Sequence, residues 1–148
     1  MTLKDILQAK GSTVYTIPPE ATLQDVVREL VHRNVGSLVV CDRDPQEGER
    51  LVGIITERDI LHVCESGKGP LAEIKVRDAM TTRLITGSPD DAVESVMGLM
   101  TKNRVRHLPV LSGQRLVGMV SIGDVVKVQH DRLAMENQFM KDYIRREL

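Results

Sequence analysis

Leu51-Val52-Gly53-Ile54-Ile55-Thr56 returns as Leu116-Val117-Gly118-Met119-Val120-Ser121, an offset of 65, and Asp59 returns as Asp124 at the same offset. Upstream the offset is 70. Thr16-Ile17-Pro18-Pro19 aligns with Thr86-Gly87-Ser88-Pro89, and Leu23, Val26, Val27 and Leu30 align with Val93, Val96, Met97 and Met100. Val35, Leu38 and Val40 align with Val105, Leu108 and Val110. A repeat on this scale decides the architecture before any local propensity does. The five extra residues of the first copy fall in the polar stretch DRDPQEGER, 42–50. A turn there would absorb an insertion at little cost.

Each copy reads in the same order. Residues 14–17 form a short extended piece that ends at a proline. Leu23, Val26, Val27, Leu30 and Val31 have helical spacing, and Thr22 with Asp25 suits a helix N-cap pair, as Asp91 does with Glu94. The runs 38–41 and 51–55 are apolar, β-branched and of strand length. A strand then ends at the glycine of each motif, and Thr56 or Ser121 opens a second helix. The unit is βαββα. About 60 residues of this kind bury too little apolar surface alone. The expected fold is therefore α/β (α+β), two repeats sharing one core with pseudo-two-fold symmetry. The expected segments are a first repeat with the N-terminal residues at 1–66 and a linker at 67–75. A second repeat follows at 76–128, opening on a helical turn at 76–80, and a C-terminal helix at 129–148. Residues 122–146 hold no proline and suit one long amphipathic helix, with Val126, Leu133, Met140, Ile144, Phe139 and Tyr143 as its apolar positions.

Composition narrows the function. The 148 residues are 41% hydrophobic and 28% charged, in the range of an ordinary globular domain. No apolar run approaches a membrane span, and 1–30 lack the pattern of a secretory signal. A net charge of −1 and only Tyr15, Phe139 and Tyr143 as aromatics argue against a nucleic-acid partner. Cys41 and Cys64 read as reduced thiols of a cytoplasmic protein. His62 and Cys64, two apart, point different ways on a helix, so no metal site is expected.

The repeated motif Gly-x-x-Thr/Ser-x-x-Asp occurs as Gly53/Thr56/Asp59 and as Gly118/Ser121/Asp124. An ionised carboxylate in the first turn of a helix accepts two hydrogen bonds readily, and the adjacent hydroxyls of a ribose are such a donor pair. The same residues also make a plain N-cap. Phosphates call for cations or backbone N–H groups. Arg58 beside Asp59, and Arg106 with His107, offer them; the alternatives are solvated surface charges and a hydrogen-bonded edge histidine. The halves differ here, since Gly36 and Ser37 stand where Arg106 and His107 stand, and Gly123 where Arg58 does. Ile17, Ile55, Val105 and Met119 can wall an adenine or simply fill core.

Val14-Tyr-Thr-Ile-Pro, Val35-Gly-Ser-Leu-Val-Val and Gly53-Ile-Ile-Thr-Glu-Arg-Asp59 resemble one cystathionine β-synthase (CBS) motif. Met80-Thr, Val105-Arg-His-Leu-Pro-Val and Gly118-Met-Val-Ser-Ile-Gly-Asp124 resemble a second. The pair is similar to a stand-alone Bateman module over about residues 10–128. The resemblance implies a regulatory sensor of adenosine nucleotides (AMP, ADP, ATP, NAD or S-adenosylmethionine), usually dimeric. It implies a ligand held between the ribose motif of one repeat and the first strand and strand start of the other. One site then combines Thr56, Arg58 and Asp59 with Thr86, Val105, Arg106 and His107 and is cationic. The other combines Ser121, Asp124 and Met119 with Thr16, Ala21, Val35, Gly36 and Ser37 and is nearly neutral.

Three function classes follow: a nucleotide-sensing regulator of a partner protein, a ligand-free structural dimerisation or adaptor module, and an enzyme. The sequence holds no Walker loop, no Gly-x-Gly-x-x-Gly and no paired acid/base carboxylates, so catalysis is not expected. A homodimer is expected, because Val26, Leu30, Val96 and Met100 would leave an apolar helix layer in a 148-residue globule.

Overall fold

Leu3, Ile6 and Leu7 lie on one helical face, and they are buried. In the computed structural model, which describes residues 1–46 and 48–147, they belong to α1 (Leu3–Lys10). The chain continues through β1 (Thr16–Ile17), α2 (Leu23–Arg33), β2 (Ser37–Asp44), β3 (Gly48–Thr56) and α3 (Glu57–Ser66). Two short 3-10 turns follow, Leu71–Glu73 and Val76–Asp78. The second half is α4 (Val93–Asn103), β4 (His107–Ser112), β5 (Arg115–Ser121) and α5 (Ile122–Glu147).

Each half builds one small sheet. β1 pairs parallel with β2, and β2 antiparallel with β3. β4 pairs antiparallel with β5, and the counterpart of β1 shrinks to one parallel bridge, Gly87 with Val110. A single residue accounts for the difference. In the first half the Val39 N–H donates to the Tyr15 carbonyl at 3.1 Å. Pro109 stands where Val39 does and has no N–H to give. Both hairpins carry a register irregularity at the same repeat position, Val40/Cys41 and Val110/Leu111. α2 and α4 both close on a left-handed residue, Asn34 and Arg104, after which Val35 and Val105 donate back to Leu30 and Met100.

The two cores are completed crosswise. Val76 is buried among Ile17, Leu23, Val26 and Leu38 of the first half. Leu3, Ile6 and Leu7 are buried among Val93, Val96, Met100 and Leu108 of the second. The backbone repeats this at an offset of 73. Leu23 donates to Ile74, Val76 to Ala21 and Arg77 to Pro19; Val93 donates to Met1, Leu3 to Asp91 and Lys4 to Pro89. Each repeat is thus sealed by the segment that precedes the other one. The motif glycines make room for these segments. A Cβ on Gly53 would lie 2.7 Å from Met80 Sδ, and one on Gly118 would lie 2.6 Å from a Leu7 methyl.

Four expectations need correction. Asp91 does not cap α4: its carboxylate accepts the Ser88 N–H at 2.8 Å, and the cap position is Ala92. The third strand of each unit does not end at the motif glycine, but runs through Gly53 to Thr56 and through Gly118 to Ser121. The inserted residues are not a bare turn, since Asp42 pairs with Arg50, Arg43 with Glu49 and Asp44 with Gly48 as a longer hairpin arm; Glu47 lies outside the described residues. Val26, Leu30, Val96 and Met100 are all buried inside the chain, because the crosswise segments cover them. Among the described residues, the large apolar side chains left exposed are Met1, Val31, Leu61, Leu99 and Val126, together with Leu133, Met135, Phe139, Met140, Tyr143 and Ile144 on the outward part of α5.

Candidate functional site

Asp59 and Asp124 both lie in the first turn of a helix, and each is engaged in a capping box. The Thr56 N–H and hydroxyl donate to Asp59 Oδ2 at 2.9 and 3.1 Å, and the Asp59 N–H donates to Thr56 Oγ1 at 3.3 Å. The Ser121 N–H donates to Asp124 Oδ2 at 2.8 Å, and the Asp124 N–H to Ser121 Oγ at 3.1 Å. The other contacts of the two carboxylates come from the crosswise segments. Asp59 Oδ1 accepts the Thr81 hydroxyl at 3.3 Å. Asp124 Oδ2 accepts the Lys10 ammonium at 2.7 Å, with the two side chains 36% and 25% exposed. Asp124 Oδ1 has no hydrogen bond among the described residues.

Lys10 is an electrostatic partner that the sequence motif does not include. Its ammonium pairs with Asp124, so the two charges offset each other at this site. Burial pushes the Asp124 carboxyl up, but the Lys10 ammonium and the Ser121 N–H outweigh it and hold the group below the usual carboxylate range.

The strand starts meet between the halves. Ser37 pairs with Thr56 across β2 and β3, and His107 with Ser121 across β4 and β5. The Glu57 N–H donates to Gly36 at 3.1 Å, and the Ile122 N–H to Arg106 at 2.8 Å. A Cβ on Gly36 would sit 3.4 Å from Glu57 Oε1 and 3.9 Å from His107 Cε1, so these residues converge. Arg58 and Arg106 are exposed, while Val35, Val105 and Met119 are half-buried. Thr16 and Thr86 are exposed at the first-strand positions, and the Ala21 carbonyl is taken by the Val76 N–H. Ile17 and Ile55 are buried in the first core. The residues that sequence reading missed are Lys10, Thr81 and Glu57. The first two had a signal: Leu3-Lys4-Asp5 repeats as Val76-Arg77-Asp78, which marks a further repeated segment outside the motif.

His107 faces Glu57 of α3, Arg106 just before its own strand, Lys10 of α1 and Asp124 of α5. Burial dominates and holds the imidazole below its ordinary 6.5. The unfolded chain then takes up a proton that the folded chain resists. Stability from this residue is full above about pH 6.5 and is lost as pH falls toward the folded value. Thermal unfolding of wild type is expected to drop between pH 7 and 5.5 by more than that of His107→Asn; equal drops would remove His107 as the source.

A groove of about 780 Å³ lies between α1, the start of α4 and α5, with Ile6, Val93, Val128 and Met135 among its apolar lining. Lys10 and Asp124 form part of its wall. Among the described residues no helix is long and apolar enough to cross a membrane, and no three His, Cys, Asp or Glu side chains converge as a metal site. Burial pushes the Cys41 thiol up to about 11, whereas Cys64 is exposed.

A family model described as "CBS domain" matches residues 3–66 and again 76–131. The chain belongs to the CBS-domain family. This CBS pair is 39% identical to the Arabidopsis thaliana CBS domain-containing protein CBSX3, mitochondrial, over 97% of this chain and 71% of the relative. Among solved structures it is similar to the CBS-domain containing protein ATU1752 from Agrobacterium tumefaciens, at 32% identity and TM-score 0.80. That match covers 87% of this chain and 99% of the other. It is also similar to the CBS domain pair of protein MJ0100, solved in complex with 5′-methylthioadenosine and S-adenosyl-L-methionine. There the identity is 26% and the TM-score 0.76, covering 89% and 98% of the two chains.

Proposed function

We propose that this CBS pair binds adenosine nucleotides, AMP, ADP, ATP or NAD, in clefts between its repeats and reports their level to a partner protein. The observation that carries the reading is the pair of symmetry-related carboxylates, Asp59 and Asp124, each fixed in a capping box at a helix start. Fixing the carboxylate in advance spares a ligand the cost of ordering it. One site takes Thr56, Arg58 and Asp59 with Thr86, Val105, Arg106 and His107. The other takes Ser121, Asp124 and Met119 with Thr16, Ala21, Val35, Gly36 and Ser37. The likeness to the MJ0100 pair, whose two ligands both carry an adenosine, supports an adenosine ligand as the class.

A second reading has its own observation. Both carboxylates already serve as caps, which is all that a ligand-free adaptor would need of them. Thermal unfolding with AMP, ADP, ATP, NAD and S-adenosylmethionine separates the two. Ligand at 100 times its Kd adds about 2.7 kcal/mol, at roughly 2–4 °C per kcal/mol for a chain of this size. A rise of several degrees with at least one nucleotide is expected. No rise with any of them at millimolar concentration would leave the adaptor reading.

A further inference from the structure

The two carboxylates differ in what the crosswise segment puts on them. Asp59 meets the neutral hydroxyl of Thr81. Asp124 meets the charged end of Lys10. The counterpart of Lys10 at the offset of 73 is Arg83, which is exposed and has no ion pair among the described residues. We propose that Lys10 is a resident counter-ion that makes the Asp124 site selective for phosphate-bearing nucleotides. The inference rests on the nucleotide reading above and goes further, naming the ligand charge that one site accepts.

The geometry gives the reason. Lys10 is the last residue of α1, whose backbone is held by the buried Leu3, Ile6 and Leu7, and Gly11 follows with a φ of 98°. The end of a helix favours a cation there. The four-carbon stem lets the ammonium turn while the helix stays docked. Two ribose hydroxyls that bridge the Asp124 carboxylate take the open Oδ1 and share or replace Lys10 on Oδ2. With a nucleotide phosphate nearby, the displaced ammonium gains a new anion while the ribose hydroxyls satisfy the carboxylate by hydrogen bonds. With a neutral nucleoside it loses its partner beside a half-buried carboxylate. With a sulfonium ligand it meets a second positive charge. Unpaired charge in a partly desolvated site is costly, so the exchange favours anions. Among the described residues no cation sits on the Asp59 carboxylate, so that site makes no such demand.

Calorimetry in an Asp59→Asn background, which keeps an acceptor for the Thr56 N–H while weakening the first site, isolates the effect. ATP and adenosine are the probes. With Lys10 present, ATP is expected to bind at least tenfold tighter than adenosine. Lys10→Met keeps the stem and removes the charge; it should bring the two affinities within about threefold, with adenosine binding more tightly than before, and Lys10→Arg should restore the gap. An unchanged ratio in Lys10→Met overturns the inference. So does binding to wild type that vanishes in Asp59→Asn, since the Asp124 site would then be empty. Absence of binding to wild type itself overturns the nucleotide reading, and the inference with it.

Discussion

Leu3→Ala is expected to destabilise the chain by about 2–5 kcal/mol, the usual cost of emptying a fully buried leucine site. The residue lies third from the start of the chain, before either repeat, where terminal residues generally tolerate change. Here its side chain is fully buried in the second core, against residues some 90 positions away, such as Val93 and Val96. The loss should therefore appear as faster hydrogen exchange in α4, β4 and β5 before it reaches β2 and β3. Gln8→Ala, at an exposed position of the same helix, should change stability by no more than about 0.5 kcal/mol. Unfolding in urea measures both. A near-neutral Leu3→Ala, or exchange that rises first in the first half, would contradict the crosswise packing.

Asp59→Ala is expected to weaken nucleotide binding by roughly 10- to 150-fold, since a charge-assisted hydrogen bond is worth about 1.5–3 kcal/mol. Asp124→Ala should weaken it less. At Asp59 the ligand's hydroxyls compete only with neutral donors, the Thr56 N–H and hydroxyl on Oδ2 and the Thr81 hydroxyl on Oδ1, whereas on Asp124 Oδ2 they compete with the charged Lys10 ammonium. Both substitutions also remove a cap, at about 0.5–2 kcal/mol of stability. Titrations are therefore run well below the unfolding transition of each variant. Equal losses, or a larger one at Asp124, would contradict the asymmetry.

The paired halves were legible because repetition fixes register: once residues 51–56 align with 116–121, every strand and helix in one copy has a counterpart in the other. The caps at Thr22 and Thr56 were legible from side-chain chemistry alone. The failures share a physical cause. Ala92 replaces Thr22 in the second copy, so no hydroxyl exists to cap α4, and Asp91 closes the preceding turn instead. Pattern cannot say across which core a segment folds. The apolar face Leu3, Ile6 and Leu7 is visible in the sequence, yet its place against α4 depends on backbone pairing such as Leu3 to Asp91. Lys10 was missed as a site residue for the same reason: the repeat of 3–5 at 76–78 marks its segment but not where that segment docks. It reaches Asp124 across 114 positions, by way of that docking.

A crystal structure of the chain grown with the nucleotide that gives the largest thermal shift tests the central claim most directly. The account predicts ligand between the repeats, with ribose hydroxyls on the carboxylate of Asp59 and phosphates toward Arg58, Arg106 and His107. Nucleotide seated clear of both carboxylates, with Asp59 bonded only to Thr56 and Thr81 and Asp124 only to Ser121 and Lys10, would contradict it.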